Sequence, residues 1–161
     1  MREAVVFLHV AGAFLFVLAH GASMLVAFRL RKEQDRERIA ALFDLSSLGI
    51  GVMYLGLLIM LLAGIAAGFI GGFWGRGWIW ASIGILVLVA VAMYAMGTAY
   101  YGRLRVAAGA DVPPQIASRY DPPPTAEELS QLATSSRPWI LAGIGGVGLI
   151  AILWLMLFKP F

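Results

Sequence analysis

Cysteine is absent from this 161-residue chain. That removes disulfides, thiolate metal sites, iron–sulfur ligation and c-type haem attachment. Charge is also scarce, at 13% of residues, where a soluble domain carries about a quarter. Inside the four apolar stretches defined below there is no Lys, Arg or Glu, and Asp44 stands only at an edge. Ion- or proton-coupled transport, and hydrolysis within a membrane, normally need ionisable groups at depth, so this scarcity counts against both. No cleavable leader is visible. The first apolar stretch is too long for a leader's hydrophobic region and has no convincing cleavage site, so it is expected to stay. The formal charge is only +3, and no basic patch interleaved with aromatics is present, which excludes a nucleic-acid footprint. The small positive excess reads as a topology signal and as contact with anionic lipid.

What the chain has is apolar length: 61% of it is hydrophobic. Four stretches reach the roughly 20 residues that cross a bilayer as helix. They cover about 4–28, 45–69, 78–101 and 139–158. The connections at 29–44 and 102–138 are polar, and Gly71-Gly-Phe-Trp-Gly-Arg-Gly77 is a short glycine-rich turn. In the long connection, Val112-Pro-Pro114 and Asp121-Pro-Pro-Pro124 are loop and polyproline signals. Thr125-Ala-Glu-Glu128 has capping-box spacing and precedes Leu129-Ser-Gln-Leu132, which predicts a short helix on the membrane surface. The expected fold is an all-α membrane protein: one four-transmembrane-helix bundle spanning residues 1–161.

Cation placement predicts orientation. Arg29, Arg31, Lys32, Arg36 and Arg38 fall in one connection and Arg103, Arg105, Arg119 and Arg137 in another, leaving Arg2, Arg76 and Lys159 on the opposite side. The richer side is expected to be cytoplasmic, which puts both termini outside. Trp74, Trp78 and Trp80 mark the outer boundary, and Tyr100, Tyr101 and Trp139 the inner one, as interfacial aromatics do.

Glycine is expected to set the packing, because lipid removes the hydrophobic drive for helix association. Gly64-Ile-Ala-Ala-Gly68 has GxxxG spacing. Gly143-Ile-Gly-Gly-Val-Gly148 matches a dinucleotide-binding pattern, but no strand–turn–helix unit surrounds it, so that reading is rejected. A flattened helix face is the reading adopted, with backbone approach to a flat cofactor as the alternative.

The candidate site residues are His9 and His20, the two histidines, both in the first span. Eleven residues make three helical turns plus about 20°, so both leave nearly one face, with about 16 Å of rise between them. Two buried imidazoles bonded to carbonyls or hydroxyls would account for them. Histidine within a lipid-embedded span is also a functional hypothesis by default. The functional reading is haem b, with His9 and His20 as axial ligands in the outer and inner leaflets. Two bis-histidine haems need four histidines, which homodimerisation through the first span would supply. Met53 and Met93 lie near the depth of His20 and are the alternative second ligands to the haem iron. Copper held by His and Met is a further alternative.

Leu8-His-Val-Ala-Gly-Ala-Phe14, Ala19-His-Gly21 and Val26-Ala-Phe-Arg-Leu-Arg31 resemble small bacterial integral membrane proteins. These are distantly similar to the membrane part of CopD-type copper-resistance proteins, which also begin a span with a Leu-His pair. The resemblance covers roughly the first three spans. It implies a four-helix bundle in the bacterial cytoplasmic (inner) membrane, with His9 as the matching position, and brings no established activity. The function expected from the residues is a b-type haem protein in electron transfer or in redox or gas sensing. The alternatives are a non-catalytic membrane subunit or scaffold and a copper-handling protein. The expected partners are the lipid bilayer, a second copy of the chain, and a redox partner or larger membrane complex.

Overall fold

The computed structural model describes residues 1–120, 122 and 124–161, so Asp121 and Pro123 of the proline run lie outside the described residues. It is 87% helical, and no strand occurs among the described residues. Among the described residues, four helices are long and apolar enough to cross a membrane. They are α1 (Arg2–Leu30), α2 (Arg36–Gly71), α3 (Gly77–Ala108) and α6 (Arg137–Phe158). Two short helices, α4 (Pro114–Ala117) and α5 (Ala126–Thr134), lie in the long connection. The four long helices are apolar around most of their circumference, as suits helices that face lipid and one another rather than water.

Local chemistry sets the ends. The Asp35 side chain accepts from the Arg38 amide at 3.1 Å and caps α2. Gly72, at φ 64°, closes α2 in the left-handed conformation that glycine adopts without a Cβ penalty. Gly109, at φ 72°, does the same for α3. The predicted capping box is formed: Thr125 Oγ1 accepts from the Glu128 amide, and the Glu128 carboxylate accepts from the Thr125 amide at 3.0 Å.

Helices and apolar stretches have different bounds at one end of the molecule. The connection expected at 29–44 is helical from Arg36, and α3 runs seven residues past Tyr101. Charged side chains stop a stretch from entering lipid, but Arg, Glu and Lys are good helix formers and do not stop the helix. At 36 and 32 residues, α2 and α3 are about 54 and 48 Å long, well beyond the roughly 30 Å of hydrocarbon.

The extra turns build a core at this loop end. Leu30, Ile39, Phe43, Tyr100, Leu104, Leu129 and Ala133 are buried together there. The short helix α5 therefore turns its apolar side onto the protein, where the sequence predicted a helix lying on the membrane. Three polar contacts fix it in place. Tyr100 Oη donates to the Leu132 carbonyl at 2.8 Å, Arg103 pairs with Glu128 at 2.6 Å, and Arg31 donates to the Thr134 carbonyl at 3.2 Å.

The opposite, turn end holds a second, aromatic core around Trp78, Ile79 and Leu155. The chain's last residue reaches it: the Trp78 amide donates to the Phe161 carbonyl at 3.2 Å, and Lys159 Nζ sits 5.1 Å from the Phe73 ring centre. Between these ends α1 packs along α2, and α3 along α6, as two antiparallel pairs that meet each other at few places.

Candidate functional site

The α1–α2 seam is a backbone approach. A Cβ on Gly12 would stand 2.6 Å from the Met60 nitrogen, and one on Gly56 would stand 2.6 Å from the Phe16 nitrogen. Any side chain at either position would push the helices apart. Gly49, Gly56 and Gly64 lie on the α2 stripe that faces α1, and Met53 falls between the first two by helical register.

His9 is held in this seam. Its Nδ1 is 2.7 Å from the Met60 carbonyl oxygen. A carbonyl only accepts, so Nδ1 carries the proton of this bond. The ring lies over Gly64, where a Cβ would come within 2.9 Å of Nδ1. Gly68, the second glycine of the GxxxG pair, takes the Trp74 indole at a similar distance. Both glycines therefore receive side chains of the same chain.

His20 occupies a different place. Its ring stacks on Phe16, with centroids 5.6 Å apart and planes 8° from parallel. Its Nε2 is 3.9 Å from where a Gly145 Cβ would stand, and the Met93 terminal methyl is 2.7 Å from that same point. His20 on α1, Met93 on α3 and Gly145 on α6 thus meet where the two helix pairs touch. The α1 face predicted to carry both histidines is shared: α2 takes its His9 part and α6 its His20 part. The two imidazoles do not line one space.

Imidazole and thioether from separate helices form a donor set that suits haem iron. They also suit a soft metal such as copper(I). The missing Cβ of Gly145 leaves the space that the Met93 methyl now enters, so the donor types beside His20 suit such a group while the space itself is filled by that methyl. Among the described residues, no three His, Asp or Glu side chains come together. The glycine pattern of α6 was legible as a flat face; what it lies against was not, because that depends on how the pairs dock.

Comparison with family models, with characterised proteins and with solved structures finds no match to this chain.

Proposed function

We propose that this is a b-type haem protein of the membrane, working in electron transfer or in redox or gas sensing, with its centre at His20. The observation that supports this is the convergence of His20 Nε2 and the Met93 side chain over Gly145. Bound there, the haem would supply one-electron exchange. The chain supplies the rest. His20 provides the nitrogen and Met93 the thioether. Phe16 fixes the plane of the imidazole, and the apolar helices keep water from the site. A His–Met pair within one chain also meets the shortage of histidines without a second copy.

His9 is the weaker ligand of the two sites on geometry, because its ring is packed into the closed α1–α2 seam. Its Nδ1–H bond to a carbonyl is nonetheless how ligand imidazoles are oriented. A copper-handling role is the second reading, favoured by the Met93 thioether. The test is an optical spectrum and metal content of the purified protein, then haem per polypeptide in His20→Ala, Met93→Leu and His9→Ala. The expected result is a Soret band that His20→Ala abolishes, that Met93→Leu retains with shifted α and β bands, and that His9→Ala leaves in place. A copper-loaded protein without a Soret band would replace the first reading with the second. A protein free of both after reconstitution would overturn both and leave a scaffold.

A further inference from the structure

At the loop end, beside α5, a cleft of about 440 Å³ is lined by Tyr100, Arg103, Tyr120, Glu128, Gln131 and Arg137, among others. Its polar groups are mainly donors. Each guanidinium has five N–H donors, and among the described residues one bond runs from each side chain: Arg103 to Glu128 at 2.6 Å, and Arg137 to the Met96 carbonyl at 3.5 Å. Among the described residues that line the cleft, two cations face one carboxylate, so together they bring it positive charge. Arg137 is also placed over the Tyr100 ring, 5.5 Å from its centre, which limits where the guanidinium points. The two tyrosine hydroxyls are spent on structure: Tyr100 donates to Leu132, and Tyr120 donates to the Ala99 carbonyl at 3.0 Å.

The level of the cleft decides its ligand. Arg103 lies two residues past Tyr101, where the third apolar stretch ends, and Arg137 lies two residues before Trp139, where the fourth begins. Both guanidiniums therefore stand at the boundary where lipid phosphates lie in a bilayer. Forked Arg donors suit a phosphate's oxygens. We propose that this cleft binds the phosphate of an anionic phospholipid headgroup. The proposal rests on the membrane location of the helices and not on the haem reading.

The experiment is native mass spectrometry of the delipidated protein in detergent, with phosphatidylglycerol or phosphatidylcholine added. The wild type retains phosphatidylglycerol about tenfold more strongly than phosphatidylcholine. Arg137→Gln weakens that retention by about tenfold, the loss of a charge-assisted contact. Arg38→Gln removes the same charge from an exposed site on α2 and leaves retention unchanged. Should Arg137→Gln fail to fold by circular dichroism, Arg137→Lys keeps the charge without the fork and is expected to weaken retention by a smaller factor. Equal retention of the two lipids, or equal weakening by Arg38→Gln and the Arg137 variant, would show diffuse surface charge and overturn the site. Displacement of the lipid by inorganic phosphate that itself binds as tightly would assign the cleft to free phosphate and overturn the lipid assignment.

Discussion

Glycine has opposite meanings at different positions of this chain. At Gly12 and Gly56 a methyl group would meet backbone atoms at 2.6 Å, and backbone has no rotamer by which to yield. Gly12→Ala or Gly56→Ala is expected to destabilise the protein by about 1–3 kcal/mol through overpacking. Gly84, in the interior of α3, has nothing within 4 Å of its Cβ position. Gly84→Ala there is expected to be neutral or to stabilise by up to about 1 kcal/mol, from helix propensity alone. Thermal unfolding of the three variants in one detergent checks this. A Gly56→Ala protein as stable as Gly84→Ala would show that α1 and α2 do not cross as closely as described. Histidine shows the same dependence on place: one imidazole ties α1 to α2, and the other meets a methionine and a glycine of the second pair.

At the scale of elements, α5 is the piece whose stability comes from identifiable parts. It is nine residues long, too short to persist alone in water. Its capping box and its contacts with α3 and α1 therefore hold it. Thr125→Ala removes one cap bond and is expected to cost about 1 kcal/mol. Local opening of α5 would then rise about fivefold, seen as faster hydrogen exchange of its amides with the long helices unchanged. Tyr100→Phe frees the Leu132 carbonyl and is expected to speed the same amides. Unaltered exchange in both variants would mean that the buried Leu129 and Ala133 alone dock this helix.

For the whole molecule, helix direction places Met1, the turn at Gly71–Gly77 and Phe161 at one end, and the cation-rich connections at the other. If the helices insert as the cation split predicts, reporter fusions after Phe161 read outside and fusions within 29–35 read cytoplasmic. A cytoplasmic C-terminus would reverse the orientation while leaving the fold intact. The assembly expected from the sequence was a homodimer, argued from glycine faces and from too few histidines. Gly64, Gly68 and Gly145 receive His9, Trp74 and Met93 of their own chain, and His20 has a methionine beside it. A dimer through the first span would meet on the outward side of α1, where Gly21 has nothing within 4 Å and Phe14 and Leu18 are exposed. Native mass measurement of haem-loaded protein in detergent is expected to show a monomer that keeps its haem. Haem lost on dissociation of a dimer would restore the shared-ligand arrangement.

The sequence by itself determined the number of long helices, their approximate spans, the short capped helix and the two histidines as the residues to watch. Each depends on local properties: apolar run length, a capping box four residues long, and the rarity of an imidazole in an apolar helix. Only the tertiary structure decided that α2 and α3 outrun their apolar stretches to form a core at the loop end. The same packing decided that α5 turns inward, that the GxxxG glycines receive a histidine and a tryptophan, and that Arg103 and Arg137 share a cleft. Those outcomes depend on which helix faces which. Among helices apolar on nearly every side, periodicity leaves the facing stripe undefined, and close approach at particular glycines defines it instead.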